Sequence, residues 1–120
     1  MYAINLCYKV PNENADEIAA VIDEHAAFMQ KLYVDGDDAV APTTTFFAKA
    51  AEVTDPLDPD AEETGFTIFT INEIWASPDD VISHIHRVMD APHAERFFNA
   101  FEYCTAAPMG TITFQIGFNA

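Results

Sequence analysis

Residues 70–86, TINEIWASPDDVISHIH, are the segment of this chain that is most informative about its fold. Its first half is rich in strand-forming residues and brings Trp75 to the start of a helix. Serine is a preferred helix N-cap and proline suits the first helical position, so Ser77 and Pro78 mark that start. The two aspartates that follow complement the helix dipole. The sequence therefore predicts a strand that runs directly into a capped helix carrying two histidines.

Three further strands are predicted around this junction. Alternation of apolar and polar residues indicates strands over residues 2–10, 43–52, 65–76 and 110–118. The last strand is expected to place Ile112, Phe114, Ile116 and Phe118 on one face. The first strand is likewise predicted to be half-buried, with one apolar face.

Helices are predicted between these strands. Apolar residues at helical spacing indicate helices over residues 15–33, 78–89 and 94–103. Asn14 and Glu17 have the spacing of an N-cap and its reciprocal partner, and Pro92 separates the second helix from the third. The order is βαββαβ with a split second helix. This order predicts a ferredoxin-like α+β fold, a four-stranded antiparallel sheet with helices on one face.

The third strand is apolar on both faces, which predicts an assembly. Phe66 and Ile68 lie on one face, whereas Phe69, Ile71 and Trp75 lie on the other. Helices cover only one face of such a sheet, so the other face needs an apolar partner. The simplest partner is a second copy related by two-fold symmetry. We therefore expect a homodimer.

Composition and charge limit the classes of function. With 120 residues, half of them hydrophobic, the chain is expected to form a single domain over residues 1–120. No apolar run approaches the roughly 20 residues that span a bilayer, so we expect a soluble, cytoplasmic protein that is not bound to membranes. The formal charge of −15 makes the protein acidic and disfavours nucleic acid as a partner. The acidic residues 55–63 are expected to form a solvated loop, and Cys7 and Cys104 to be structural thiols.

With these features the chain resembles the dimeric α+β-barrel superfamily, which includes antibiotic-biosynthesis monooxygenase-like proteins. The resemblance rests on the order of elements, on the strand ending Glu73-Ile74-Trp75, on the helix start at Ser77, and on His84 nine positions after Trp75. It implies a barrel shared by two subunits, with a pocket between each sheet and its helices. It also implies a range of activities, among them cofactor-independent oxidation of quinol-like aromatics, haem degradation and isomerisation.

The haem-degrading branch supplies one alternative. The resemblance implies an asparagine on the first strand, and Asn5 fills that place. The tryptophan of that branch falls on His84, and its histidine falls beside His93 rather than on it. Haem binding, with His84 or His93 as axial ligand, is therefore an alternative hypothesis.

The histidines differ in their expected positions. His25 lies in the middle of the apolar stripe of the first helix and should face inward. His84 and His86 lie on opposite borders of the second helix, and the resemblance favours His84 for function. His93 is expected at the surface. No two histidines or cysteines have the sequence spacing of a metal-binding pair, so we predict no metal site. The quinol oxidation that the resemblance implies requires no metal or flavin, so we predict no cofactor.

The sequence therefore predicts a protein that binds a small apolar or aromatic ligand, with cofactor-independent monooxygenation of a quinol-like substrate as the leading hypothesis. A non-catalytic ligand-binding or sensing module is the alternative. The predicted catalytic residues are His84 and His25, as base or hydrogen-bond partner, and Asn5, which would orient the ligand oxygen. The predicted substrate-binding residues are Trp75, Phe97 and Phe28.

Overall fold

A computed structural model describes residues 1–36 and 39–117. Its strands are β1 (Tyr2–Pro11), β2 (Thr44–Val53), β3 (Glu63–Trp75), β4 (Cys104–Ala106) and β5 (Met109–Thr111). Its helices are α1 (Ala15–Met29), α2 (Pro78–Met89) and α3 (Ala94–Asn99). Short 3-10 turns over Asn12–Asn14 and Ala100–Tyr103 precede α1 and follow α3, and a π-helical turn over Gln30–Val34 extends α1.

The strands form one antiparallel sheet in the order β2-β3-β1-β4, and β5 pairs with the same strand β1. This is the arrangement expected of a ferredoxin-like α+β fold. The single last strand of the prediction is replaced by two short strands on one edge of β1. The long central pair, β1 and β3, is in register from Tyr2 opposite Trp75 to Pro11 opposite Phe66.

The core lies between one face of this sheet and the helices. On β1 it takes every second residue, and on β3 it takes the residues in register with them. The apolar stripe of α1 closes the core from the other side. The buried apolar residues of these three elements are Ile4, Leu6, Tyr8, Val10, Phe69, Ile71, Trp75, Ile18, Val21, Ile22 and Met29. The residues that alternate along the strands and those that recur at helical spacing along α1 thus pack in one core.

The β3–α2 junction has the predicted capping chemistry. Ser77 is extended, with φ −149° and ψ 161°, and its hydroxyl accepts a hydrogen bond from the backbone N–H of Asp80 at 3.3 Å. Asn14 is the N-cap residue of α1 as predicted, but its side chain makes no capping hydrogen bond. The reason is local: a 3-10 turn already precedes α1, and Asn14 takes a near-helical conformation with φ −106° and ψ 0°.

The prediction of a strand up to Phe118 is wrong in extent. Pairing ends at Thr111, and residues 112–117 belong to no strand, while Phe118 lies outside the described residues. Strand β1 starts at Tyr2, and the backbone N–H of Ile112 donates a hydrogen bond to the carbonyl of Met1. Among the described residues, no strand pairs with residues 112–117. Phe114 is 80% exposed.

The second face of the sheet carries no helix of the described residues. Phe46 on this face is 56% exposed, and Phe66, Ile68 and Ile74 are only partly buried. We refer to these four residues and their neighbours on the same face as the open face. Cys7, on this face, and Cys104 are free thiols, and residues 55–60 of the acidic loop are exposed. Within the described ranges, no helix has the length and apolarity needed to cross a membrane.

Candidate active site

A cavity of about 190 Å³ lies between the helix-covered face of the sheet and the helices. Most of its wall is apolar and is formed by β1, α2 and the segment around α3, including Leu6, Val88, Phe97 and Phe101. Three polar side chains, His25, Glu73 and His84, complete the wall. An apolar chamber with a few convergent polar groups is the usual form of a small-molecule site. We call the three polar residues the His–Glu–His cluster.

Glu73 is the central member of this cluster, and the sequence analysis missed it as a site residue. Its side chain is only 3% exposed, and the indole N–H of Trp75 donates a hydrogen bond to Glu73 Oε1 at 2.9 Å. Burial raises the pKa of Glu73 to about 7, although the hydrogen bond from Trp75 acts in the opposite direction. A signal for this residue was available, because Glu73 shares the period-two buried face of β3 with Ile71 and Trp75.

His84 is held between Glu73 and Tyr33. Its Nε2 lies 3.5 Å from Glu73 Oε1, and its Nδ1 lies 2.5 Å from the Tyr33 hydroxyl. Arg87 Nε donates a hydrogen bond to the same hydroxyl at 3.1 Å. When Glu73 is ionised, His84 turns its Nε2–H toward the carboxylate, and its Nδ1 accepts the Tyr33 proton. Burial, followed by the charge of Arg87, lowers the pKa of His84 to about 4, so the ring is neutral near pH 7.

Tyr33 is a second residue that the sequence analysis missed. It lies in the π-helical turn that follows α1, within the predicted helical range but outside the regular helix. Such turns change the direction of the residues that follow them and occur often at functional sites. Its ring is 5.6 Å from that of His84 and 5.7 Å from that of Trp75. The pattern of apolar residues in α1 gives no sign of this turn.

His25 faces inward as predicted and is 1% exposed. Its ring stacks on Phe97, with centroids 4.1 Å apart and planes 20° from parallel. Its Nδ1 is hydrogen-bonded to His93 Nε2 at 3.0 Å. Burial is the main cause that lowers the pKa of His25 to about 3. The stacking and the hydrogen bond fix the ring, which leaves Nε2 as the free ring nitrogen.

The prediction that His93 lies at the surface is wrong. It is 4% exposed and burial lowers its pKa, because it packs against His25, Phe28 and Phe97. The sequence placed it correctly next to the start of the third helix. Its burial depends on α1, which lies 68 positions earlier at His25.

The cluster has the composition of a metal-binding triad. One potential ligand atom from each of His25, Glu73 and His84 lies within 4.8 Å of the other two. The prediction of no metal was based on spacing along the sequence, which does not detect ligands from three separate elements. His86, the other histidine of α2, is exposed and lies outside the cluster, in agreement with the predicted separation of His84 from His86.

The other predicted site residues have different positions. Phe97 lines the cavity, and its predicted contact with a substrate stays a prediction. Trp75 is fully buried and lies behind Glu73, outside the cavity wall, so the predicted stacking on a ligand is wrong. Phe28 faces a separate surface groove beside His93, outside the cavity wall.

Asn5 lies on the opposite side of the sheet from the cluster. Its Nδ2 donates a hydrogen bond to Asn72 Oδ1 at 3.2 Å, on the open face. Its neighbours Ile4 and Leu6 point into the cavity, and successive residues of a strand point to opposite faces. The predicted grouping of Asn5 with His84 is therefore wrong.

Comparison with known proteins adds evidence on the fold. No family model and no curated protein matches the sequence. A solved structure of a provisionally assigned antibiotic biosynthesis monooxygenase from Deinococcus radiodurans is similar, with a TM-score of 0.53 and 13% sequence identity. The similarity covers 100% of this chain and 98% of the other. The chain thus has the α+β fold of antibiotic-biosynthesis-monooxygenase-like proteins over its whole length.

Proposed function

We propose that this protein binds a small aromatic molecule with an ionisable hydroxyl group and oxidises it with dioxygen, without an organic cofactor. The observation that carries the proposal is the single polar end of an otherwise apolar cavity, formed by the His–Glu–His cluster. An apolar cavity of about 150 Å³ accommodates benzene. The cavity of about 190 Å³ therefore suits a substrate with one ring, such as a hydroquinone.

Glu73 is the base of this scheme. Its carboxylate faces the cavity, and its raised pKa of about 7 balances ionisation against basicity near neutral pH. It removes the proton of the substrate hydroxyl and leaves an electron-rich quinolate. Trp75 acts as a positioning residue, because its N–H holds one carboxylate oxygen in place.

The oxidation balances without another reactant. The quinolate transfers electrons to dioxygen, and a carbon–oxygen bond forms at a ring carbon to give a peroxide. The hydrogen of that ring carbon moves as a proton to the outer peroxide oxygen, and the oxygen–oxygen bond breaks as hydroxide leaves and a new carbonyl forms. The hydroxide takes the proton held by Glu73 to become water, so hydroquinone and dioxygen give hydroxyquinone and water. All four electrons come from the substrate.

His84 and its partners orient the polar end of the cavity. The contact chain from Arg87 through Tyr33 to His84 fixes the imidazole, and the neutral ring turns an N–H toward Glu73. The same N–H lies at the cavity wall, where it can donate to the oxygen of a bound quinolate. His84 therefore stabilises the substrate anion, whereas Glu73 transfers the proton.

Oxygen uptake tests this proposal. Single-ring quinols are assayed beside a three-ring anthrone, and we expect uptake with the former alone. Glu73→Gln removes the base while conserving size, and general-base catalysis contributes about 10²–10⁴-fold. We expect a loss of that order in kcat, whereas His86→Gln, an exposed control on the same helix, should retain full activity.

Two results would overturn the proposal that the protein oxidises a quinol. The first is the absence of uptake with every single-ring quinol, and the second is an unchanged rate in Glu73→Gln. Saturable binding of a quinol without turnover would favour the alternative of a non-catalytic binding module. Haem is not part of the proposal, because a cavity suited to one aromatic ring is too small for a macrocycle of four pyrrole rings.

We also propose that two copies pair through the open face. This face combines the exposed Phe46 with the partly buried Phe66, Ile68 and Ile74, and Phe114 and Ile116 are exposed in the segment that follows β5. Covering such apolar area contributes about 25 cal/mol per Å². A second copy of the chain offers a self-complementary surface for it. Light scattering at micromolar concentration tests the proposal, and a monomeric mass would overturn it.

A further inference from the structure

We propose that the His–Glu–His cluster also binds one divalent first-row transition-metal ion, such as Zn²⁺ or Fe²⁺. The ligands are one imidazole nitrogen each from His25 and His84 and one carboxylate oxygen from Glu73. They come from α1, α2 and β3, and all three are buried. A metal site here does not depend on the proposed oxidation, because it follows from the geometry of the cavity and the cluster.

The spacing of the ligand atoms is close to that of a metal site. Zn²⁺ binds imidazole nitrogen and carboxylate oxygen at about 2.0–2.2 Å, so two ligands of a tetrahedral ion lie about 3.4 Å apart. Glu73 Oε1 and His84 Nε2 are already 3.5 Å apart. The three ligand atoms lie within 4.8 Å of one another, so the spacing of a tetrahedral ion is reached if the longest of these distances shortens by at most about 1.4 Å.

Each ligand has the supporting contact that metal ligands usually have. A metal-binding imidazole normally donates its other N–H to a hydrogen-bond acceptor. His84 reaches the Tyr33 hydroxyl through Nδ1, and His25 reaches His93 Nε2 through Nδ1. Nε2 of both rings is thereby left for the ion. The indole N–H of Trp75 likewise donates to Glu73 Oε1, the carboxylate oxygen that lies beside His84 Nε2.

Charge also favours an ion at this place. A buried carboxylate is costly without a compensating charge. Within the described residues, the only basic group in ion-pair distance of Glu73 is His84, which has no charge in the neutral ring. A divalent ion would supply the missing charge. Two nitrogen ligands select a transition metal over Mg²⁺ or Ca²⁺, which prefer oxygen ligands.

The three ligands leave at least one coordination position for a small molecule. Each member of the cluster also lines the cavity, so the free position would face the apolar chamber. A ligand oxygen could then bind the ion directly, and the ion would act as a Lewis acid. The ion and the base chemistry of Glu73 exclude each other, because both use the same carboxylate. Metal loading is therefore expected to inhibit the proposed cofactor-independent oxidation.

Calorimetric titration of the chelator-treated, full-length protein with Zn²⁺ tests the site. We expect one ion per chain with a micromolar or lower dissociation constant, and no heat of comparable size with Mg²⁺, which controls for the acidic surface. Co²⁺ should bind with the intense visible absorption of a four- or five-coordinate ion. Neither measurement depends on activity, so either proposal can fail without the other.

Substitutions identify the ligands. Glu73→Gln, His84→Gln and His25→Gln should each weaken Zn²⁺ binding by at least 10-fold, whereas the exposed His86→Gln should leave it unchanged. Circular dichroism establishes that each variant is folded, and Tyr33→Phe, which keeps every ligand, provides a further variant with an expected intermediate loss. Absence of Zn²⁺ binding, equal binding in all variants, or an equal loss in His86→Gln would overturn the proposed site.

Discussion

The two faces of the sheet use the same strands for different purposes. On β3, the side facing the helices carries Phe69, Ile71, Glu73 and Trp75, and all four are buried. The residues between them face the other way and are only partly buried. The helix-covered face holds the buried carboxylate of Glu73, which contacts the side chains of Trp75 and His84. The other face has polar pairs such as Asn5 and Asn72 among exposed apolar residues.

This difference separates the candidate active site, on the helix-covered face, from the solvent-accessible surface of the open face. On the helix-covered face a polar group is enclosed, and its chemistry is altered by burial. On the open face polar groups pair with each other, and their environment remains accessible to solvent or to a partner. A substitution on one face can therefore be tested against a matched substitution on the other.

The largest effect is expected from Trp75→Ala. The substitution removes a fully buried side chain that also donates a hydrogen bond to Glu73. Truncation of a buried large aromatic residue costs about 3–5 kcal/mol in the free energy of unfolding. Urea denaturation measures this loss. Ile74→Ala on the open face is the matched control, and an equal loss there would contradict the distinction between the faces.

The second prediction concerns stability in acid. Burial lowers the pKa of His84 to about 4 from an ordinary value of 6.5. The unfolded chain binds the proton more readily, so the stability conferred by the neutral ring is complete above pH 6.5 and is lost as the pH falls toward 4. The loss amounts to about 3 kcal/mol for a shift of this size.

Denaturation at several pH values between 4 and 7 measures this dependence. His84→Gln should make the free energy of unfolding less steep in pH over that range, because one buried titrating group is removed. His86→Gln should leave the slope unchanged, since that ring is already exposed in the folded state. A slope that is the same in His84→Gln and in the unmodified protein would contradict the prediction.

Glu73 is expected to give the free energy of unfolding the opposite dependence on pH. Its pKa is raised to about 7 from an ordinary value of 4.5, so the folded protein binds this proton more tightly than the unfolded chain does. Its contribution to stability is complete below pH 4.5 and is lost as the pH rises through 7. Glu73→Gln should therefore be more stable than the unmodified, metal-free protein at pH 8, by about 3 kcal/mol, and nearly equal to it at pH 4.5. Thermal or urea unfolding at the two pH values tests this.

The smallest change in stability is expected on the open face. Phe46→Ser removes an exposed apolar side chain, so the free energy of unfolding of a single chain should change by less than about 1 kcal/mol. If two copies pair through this face, the same substitution should raise the dimer dissociation constant at least 10-fold by sedimentation or light scattering. Lys49→Ser, on the helix-facing side of the same strand, serves as the control. A dimer unaffected by Phe46→Ser would place the interface elsewhere.

Local patterns were sufficient for much of the fold. The alternation in β1 and β3, the apolar stripe of α1 and the cap at Ser77 depend on residues close together in the chain. For the same reason the inward position of His25 followed from its place in the stripe. Asn5 was misplaced because a functional analogy was given more weight than the period of its strand.

The order of elements, the two apolar faces of β3 and the capped junction after Trp75 could be predicted from the sequence, since each depends on backbone preference and local periodicity. The folded structure was needed to show that His93 contacts His25, 68 positions away, and that Tyr33 contacts His84, 51 positions away. It also decided that Glu73 stands between two histidines from different helices. Burial and contact between distant elements set the protonation and ligand geometry of these groups, and neither quantity is a property of a local pattern.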